Sequence, residues 1–198
     1  MAKYVVFDLE TTHKNPSKAE IVEIAAVTYP GDAVFQMLAK PRVNHPEAIA
    51  VHGITDDMLE QEGTSQEAID AFVQWLDKET NHGTIVVGHN ILDYDLPVLA
   101  KYTRCLEGVR ALDTLPMVRD IYPFIRNFKL TTIYKHTKGP NVRAHRALAD
   151  VRMCIRVLDR AKARLEGAGL GLSMYVKRRG WAQNNLRGPN CHVVVLNI

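Results

Sequence analysis

Residues 4–13, YVVFDLETTH, run from strand-forming residues directly into two acids, Asp8 and Glu10. Side chains two positions apart on a β-strand project from the same face, so these carboxylates point in the same direction. Burying two neighbouring carboxylates is unfavourable, because each loses its hydration and each repels the other. A bound metal ion would offset both effects. The stretch therefore predicts a buried strand that ends at a metal site.

The length and composition of the chain are those of one domain with a hydrophobic core. Its 198 residues are 46% hydrophobic. No apolar stretch approaches the roughly 20 residues that span a bilayer, and the opening apolar run is too short for a secretion signal. We therefore expect a cytoplasmic protein without a membrane partner.

Basic residues are concentrated near the end of the chain. Residues 167–198 contain four Lys and Arg residues and no acid, whereas the rest of the chain has a net charge of −1. The glycine-rich stretch at 167–171 is typical of a helix end or a flexible joint. We therefore expect a domain over residues 1–166 and a basic C-terminal extension over residues 167–198.

Three roles for this extension stay open. Tyr175 and Trp181 are interleaved with basic residues, an arrangement that suits stacking on bases and contact with phosphates. Residues 191–198, CHVVVLNI, can instead add a strand to the chain's own sheet. An apolar strand such as Val193–Leu196 can also pair with a strand of another protein.

The pattern of hydrophobic residues predicts an α/β domain. Strands are expected over residues 3–9, 21–29, 33–39, 84–90 and 109–113. Helices are expected after an N-cap at Ser65, near Asp93, and over residues 114–121, 130–137 and 146–165. This order, strands first and then helices alternating with strands, is typical of a mixed sheet with helices packed against it.

Two later segments add acids and a histidine to the first pair. GHNILDYDLPVL contains Asp93 and Asp95, and AHRALAD contains His145 and Asp150. If these segments meet the first pair in space, the site has four carboxylates and one histidine. Oxygen ligands of this kind favour Mg²⁺ or Mn²⁺, and two such ions about 4 Å apart can hold both oxygens of a phosphoryl displacement. His145 can then take a proton from the attacking water, because histidine exchanges protons near neutral pH.

The spacing within each segment refines the choice of residues. Asp93 is well placed to cap a helix whose first turn contains Asp95 and Pro97, so we choose Asp95 for the site. Positions two apart on a helix differ by about 200°, so both acids cannot face the site. His145 and Asp150 are five positions apart, which predicts that His145 lies at the junction between a loop and the helix.

Three motifs, FDLETT, HNILDYDLPVL and HRALAD, together resemble those of the DEDDh, or DnaQ-like, 3′–5′ exonuclease family. AVHGIT and LDTL are similar to stretches of the family's proofreading-subunit branch. The resemblance covers about residues 4–160 and keeps the order of the motifs. It implies a ribonuclease H-like exonuclease fold, with a mixed five-stranded sheet flanked by helices.

The resemblance implies a role for each matching residue. Asp8, Glu10 and Asp150 would bind the metal ion nearer the attacking water, and Asp8 would also bridge to the second ion. Asp95 would hold that second ion, and His145 would be the general base. The cofactor would be two Mg²⁺ ions, with Mn²⁺ as a substitute. The reaction would hydrolyse the last phosphodiester at a single-stranded or frayed 3′ end of DNA or RNA and release a nucleoside 5′-monophosphate.

Three further residues are expected to contact the substrate. Thr11 offers a backbone donor to the 3′ end, and His52 would line the pocket for the terminal nucleotide. Asn90 is the third. The alternative role for Asn90 is a structural hydrogen bond to the end of the strand, and the alternative for His52 is packing within its loop. Asp113 is expected to cap a helix.

The chain departs from the family pattern in two places. Residues 13–16, HKNP, stand where many relatives have a tight glycine turn, which predicts a differently shaped loop. The second motif has one additional residue before its aspartate.

Two other classes of function stay open. The chain can be a nucleic-acid-binding module without catalysis, although its complete set of five residues favours the enzyme. It can also act as an assembly subunit, such as the proofreading partner of a polymerase, with the C-terminal extension as the docking element.

Overall fold

A six-stranded mixed sheet organises the described part of this computed structural model, which comprises residues 4–80, 83–142 and 144–178. The strands are β1 (Tyr4–Thr11), β2 (Ile21–Tyr29), β3 (Val34–Leu38), β4 (Ile85–Gly88), β5 (Arg110–Asp113) and β6 (Val176–Arg178). Their order is β3-β2-β1-β4-β5-β6. The β1–β4 and β4–β5 pairs are parallel, and the other pairs are antiparallel.

All five expected strands are present, and the sheet has one strand more than expected. Its sixth strand, β6, comes from the predicted C-terminal extension and pairs with β5 at the edge of the sheet. A three-residue strand gives almost no sequence pattern, which is why the expected count was one too low. The other candidate strand, at residues 191–198, lies outside the described residues, and the domain boundary after residue 166 stays a prediction.

Seven α-helices among the described residues surround the sheet. They are α1 (Pro46–His52), α2 (Asp56–Leu59), α3 (Ser65–Glu79), α4 (Asp95–Leu99), α5 (Thr114–Ile121), α6 (Leu130–His136) and α7 (Ala147–Gly167). Among these helices, none is both long and apolar enough to cross a membrane.

The alternation of β1 side chains divides the core into two layers. Phe7 and its neighbours at alternate positions pack with α3 through residues such as Phe72. Val6 faces the opposite layer and packs with α7 through residues such as Val151. Asp8 and Glu10 follow Val6 in the alternation, so both carboxylates face the α7 layer.

The start of α3 differs by one residue from the expected start. Thr64 is the N-cap, because its hydroxyl accepts from the Glu67 N–H and the Glu67 carboxylate accepts from the Thr64 N–H. The expected cap, Ser65, is already inside the helix and donates its hydroxyl to the Ile21 carbonyl at 2.9 Å. Adjacent Thr and Ser residues both suit an N-cap, and the glutamate three positions after Thr64 decides between them.

Candidate active site

The end of β1 and the start of α7 together form a compact cluster of ligating side chains. Glu10, His145 and Asp150 each offer a ligand atom, and these three atoms lie within 4.8 Å of one another. The expected site therefore joins the first and third motifs in space.

His145 lies at the junction between a loop and α7, as predicted. Its φ of 65° is left-handed, a conformation that histidine adopts more readily than most residues. Its backbone N–H donates to Asp150 Oδ2 at 2.8 Å, so the acid fixes the backbone that carries the histidine. The His145 side chain is exposed, whereas Glu10 and Asp150 are buried.

Asp95 is the buried acid of the second motif. Its Oδ1 accepts the backbone N–H of Leu9 at 3.1 Å, which fixes it beside the strand that carries Asp8 and Glu10. The expected cap is wrong, because α4 begins at Asp95 with Tyr94 as its N-cap, and Asp93 is exposed. The additional residue in this motif is accommodated before the helix rather than inside it.

The pKa values of the four acids show how strongly the site concentrates negative charge. Burial raises the pKa of Asp8 well above its usual range, and Asp95, Asp150 and Glu10 raise it further. Burial, reinforced by the charge of Asp150, raises the pKa of Glu10 to about 8. Burial also raises the pKa of Asp95 to about 8 and that of Asp150 to about 6. Four mutually repelling carboxylates fit a divalent cation, which would favour their charged forms.

A fifth acid, Glu23, is part of this region and was not expected from the sequence. It lies on β2 opposite Glu10 and is fully buried. Its carboxylate accepts from Arg146 Nε at 3.1 Å, from Arg146 Nη2 at 2.9 Å and from the Ala147 N–H at 2.9 Å. Gln36 Nε2 also donates to it, at 2.7 Å.

Hydrogen bonds keep Glu23 charged although it is buried. Burial acts to raise its pKa, but the bonds from Arg146, Gln36 and the Ala147 N–H outweigh burial and lower it. Glu23 therefore ties the first turn of α7 to β2, directly beside His145. The sequence signal for it is a single acid inside the otherwise apolar stretch IVEIAAV.

Asp113 fixes the loop of the second motif in a similar way. It caps α5 by accepting the Leu115 N–H at 2.8 Å, as predicted. It also accepts the N–H groups of Asn90 and Leu92, at 2.8 Å and 3.2 Å. The turn after β4 is thus held from the neighbouring strand, and Asn90 takes a left-handed φ of 68° there.

A cleft of about 620 Å³ opens beside Glu10. Its lining includes Thr11 and His52, two of the three expected substrate contacts, but not Asn90. His52 is buried, and its Nδ1 accepts the Ile54 N–H at 3.0 Å. Its Nε2 has no hydrogen-bond partner among the described residues, and burial lowers its pKa. His52 is therefore a neutral ring whose proton lies on Nε2.

The loop at residues 13–16, which stands where many relatives have a glycine turn, forms one rim of this cleft. Tyr94 Oη donates to the His13 carbonyl at 2.5 Å and also contacts Thr11 Oγ1. The loop at residues 13–16 is closed internally, since His13 Nδ1 accepts the Asn15 N–H at 2.8 Å. Tyr94 of the second motif therefore fixes the loop that follows the first motif.

Comparison with known proteins relates the chain to bacterial replication proteins. The model of the RNase_T exonuclease family matches residues 5–158. A PolC-type DNA polymerase III of Bacillus subtilis is 34% identical over 156 residues, which are 74% of this chain but 10% of that protein. The DNA polymerase III subunit epsilon of Aquifex aeolicus is 30% identical over 162 residues, which cover 78% of this chain and 77% of that subunit.

Solved structures support the fold. An Escherichia coli exonuclease I in complex with a dT13 oligonucleotide has a TM-score of 0.74 at 19% identity, covering 85% of this chain and 43% of that one. An exonuclease X in complex with 5′ overhanging duplex DNA has a TM-score of 0.64 at 22% identity, covering 87% and 96%. The expected ribonuclease H-like exonuclease fold is therefore confirmed.

Proposed function

Because the chain belongs to the exonuclease family, we propose that it is a two-metal-ion 3′–5′ exonuclease. It hydrolyses the last phosphodiester at a nucleic acid 3′ end and releases a nucleoside 5′-monophosphate. The observation that carries this proposal is the convergence of Glu10, His145 and Asp150 within 4.8 Å, beside the half-buried Asp8 and the buried Asp95.

The metal ligands in this proposal are Asp8, Glu10, Asp95 and Asp150. Their oxygen donors suit Mg²⁺, with Mn²⁺ as a substitute. Two such ions would polarise the scissile phosphate and compensate the charge that develops on it. The carboxylates hold fixed positions, because Asp95 accepts from Leu9 N–H and Asp150 from His145 N–H.

His145 is the general base. Its ring accepts a proton from the water whose oxygen attacks phosphorus, and the bond from phosphorus to the 3′ oxygen of the preceding nucleotide breaks. Because the side chain is exposed, it can pass that proton to solvent after each cycle. The Glu23–Arg146 pair next to it holds the start of α7 during this transfer.

The cleft beside Glu10 would receive the 3′-terminal nucleotide. Thr11 and His52 line it, and the neutral His52 ring offers an Nε2 donor to which the described part of the chain supplies no partner. Asn90 does not line this cleft and remains a proposed substrate contact. A single-stranded or frayed end of DNA or RNA fits a cleft of about 620 Å³, because a paired terminus would have to open first.

An assembly role is a second candidate, which the relative from Aquifex aeolicus favours. That relative is a DNA polymerase III subunit, so a polymerase is a candidate partner in the cytoplasm. The extension at residues 167–198 would be the docking element. Exonuclease activity and this role are compatible, whereas a non-catalytic binding module would show neither metal-dependent hydrolysis nor its loss on mutation.

The first experiment is a nuclease assay on 5′-labelled single-stranded DNA and RNA of one sequence. Mg²⁺ should give a ladder that shortens from the 3′ end, and EDTA or the Asp8→Ala change should abolish it. The faster substrate would identify the preferred nucleic acid. If the protein binds both strands but shortens neither with Mg²⁺ or Mn²⁺, the enzymatic proposal is wrong.

A further inference from the structure

The positive charge of the chain is concentrated in one segment. Residues 114–165 contain twelve Lys and Arg residues and three Asp and Glu residues, a net charge of +9. The first 113 residues contain nine basic and eighteen acidic residues, a net charge of −9. The overall charge of +3 conceals this division, and the C-terminal extension accounts for only a small part of it.

The fold places this segment on one side of the sheet. It forms α5, α6 and α7, which pack together through buried side chains such as Val118, Ile133 and Val157. Nine of its described Lys and Arg side chains are exposed, and the eight of them without an ion pair among the described residues define what we call the basic face. These are Arg119, Arg126, Lys129, Lys135, Lys138, Arg152, Arg160 and Arg164.

A row of arginines along the long helix α7 forms one part of the basic face. Arg152, Arg156, Arg160 and Arg164 recur every four residues, so they follow one side of the helix. The first and last lie about 18 Å apart along the axis. Arg156 Nη2 donates to the Thr137 and Lys138 carbonyls at 3.0 Å and 2.8 Å and so fixes the end of α6 beside this row.

Acidic side chains do not neutralise the basic face. Among the described residues of this segment, ion pairs involve only Arg146, with Glu23, and Lys162, with Glu166. The three acids of the segment are engaged elsewhere: Asp120 accepts from Tyr175, Asp159 accepts from Tyr29, and Asp150 lies in the candidate active site. A surface of this charge without internal partners favours a polyanion.

An exposed aromatic ring, that of Phe124, lies among these basic residues. Phe124 is 65% exposed and makes edge contacts with the rings of Tyr122 and His136. The Arg164 guanidinium lies over the Tyr122 ring, 5.3 Å from its centroid. Aromatic rings interleaved with cations suit the unstacked bases of a single strand, which a paired duplex does not present.

The basic face approaches the candidate active site at the turn after β4. Phe128 lies between Arg126 and Lys129, and its carbonyl oxygen is 2.7 Å from His89 Nε2, in the turn that leads to Asp95. Arg152 lies two positions after Asp150 on α7, about 200° around the helix axis, so it faces away from the site. A strand that leaves the site past the turn after β4 therefore meets the basic face beside α6.

We propose that the basic face binds the phosphate backbone of a single-stranded nucleic acid on the 5′ side of the scissile bond, with Phe124 stacking on a base. The assignment of the 5′ side rests on the proposed exonuclease function. Binding by the face itself does not, so the two can be tested separately.

The test is fluorescence anisotropy with labelled (dT)20 in EDTA, where hydrolysis cannot interfere. The double variant R152Q/R160Q should bind at least about fivefold more weakly than the native chain. The slope of log affinity against log salt should become less steep by about 1.4, because each phosphate contact to a single strand contributes about 0.7. Phe124→Ala should also weaken binding about fivefold or more.

The double variant K78Q/R104Q is the matched control, because both side chains are exposed and lie outside the basic segment. It should leave the affinity and the salt slope unchanged. R126Q/K135Q tests the same face independently of α7 and should repeat the loss. Equal affinities and slopes for the native chain and both basic-face variants would overturn the proposal, as would equal competition by polyglutamate of matched charge.

Parallel incubation of the native chain with Mg²⁺ separates this proposal from the enzymatic one. If the native chain fails to shorten (dT)20 but R152Q/R160Q weakens binding, the exonuclease function is wrong and the binding surface stands. If the native chain shortens the strand and the variants bind as it does, the enzyme stands and the binding surface is wrong.

Discussion

The starts of α4 and α7 both bring an acid to the end of β1, but they do so in different ways. At α4, Asp95 is 5% exposed and accepts from the main chain of β1. At α7, the acid Asp150 holds the backbone of an exposed, left-handed His145. Asp113 supports the turn before α4 by accepting backbone N–H groups. The charged pair of Glu23 and Arg146 supports the start of α7.

The difference matches what each side of the proposed site must do. A metal ligand has to stay in place, so a buried acid fixed by main-chain donors suits that role. A general base has to exchange its proton with solvent, so it needs exposure together with a fixed backbone. In the proposed mechanism, the α4 side is therefore the fixed side of the site, and the α7 side carries the group that would gain and lose a proton.

Asp95→Asn removes the proposed metal ligand on the α4 side and should have the largest effect. It should lower kcat by about 10³-fold, because a metal ion contributes several kcal/mol of transition-state stabilisation. The matched control is Asp93→Asn, two positions earlier on an exposed side chain, which should leave activity unchanged. Steady-state kinetics with saturating Mg²⁺ checks both, and equal activity of the two variants would contradict the assignment of Asp95.

His145→Gly tests the exposed side while keeping its backbone, because glycine adopts a left-handed φ without strain. Loss of a general base should lower kcat about 10²-fold or more. Added imidazole should restore part of the activity, since the position is open to solvent.

The same variant distinguishes a base from a metal ligand. If His145 only accepts a proton, Mg²⁺ should raise the Tm of His145→Gly as much as that of the native chain. Loss of this Mg²⁺-dependent increase, measured by differential scanning fluorimetry, would instead make His145 a ligand.

Glu23→Gln should have a smaller effect, since Glu23 acts only through the start of α7. Removing its charge leaves Arg146 without a partner. Arg146 keeps 37% of its side chain exposed, so the cost in unfolding free energy should be on the order of 2 kcal/mol, below that of a fully buried pair. We expect kcat to fall about tenfold with little change in KM.

Glu20→Gln is the control for this change. It breaks the ion pair with Arg42, whose side chain is 90% exposed, and should alter neither Tm nor kcat. If Glu23→Gln lowers the Tm but leaves kcat unchanged, Glu23 supports the fold and does not position His145.

Local patterns were enough to predict most of the fold and the identity of the candidate site. The alternation of β1 predicted that Asp8 and Glu10 share a face, and the five-residue spacing predicted the junction at His145. The helix period predicted α7, although the helix runs two residues further than expected, to Gly167. Each of these inferences depends on neighbours in sequence.

The features that sequence reasoning missed depend on partners distant in sequence. Glu23 and Arg146 are 123 positions apart, and the register between β1 and β2 places Glu23 beside Glu10. The charge of the basic face is visible in the sequence as +9 over residues 114–165, but its presentation on one side of the sheet depends on how α5, α6 and α7 pack together. The Asp93 cap was wrong because Asp113, from another strand, holds the turn before α4.

The dependence of Tm on pH should show the smallest effect. It reports on the acids of both the α4 side and the α7 side of the site. Without metal, Asp150 titrates with a pKa of about 6, and Glu10 and Asp95 with pKa values of about 8, all above the value near 4 of an unfolded carboxyl. A raised pKa in the folded state means that these groups stabilise the fold at low pH. That contribution is lost as pH rises toward about 8.

In EDTA, the Tm should therefore fall by roughly 5 °C between about pH 4 and about pH 8. Mg²⁺ should remove most of this decrease, because it binds the charged carboxylates. Asp95→Asn should flatten the decrease in EDTA, since it replaces one titrating group on the fixed side with a neutral amide. A Tm in EDTA that rises over this range would mean that the four acids are not close enough to repel one another, and the proposed metal site would be wrong.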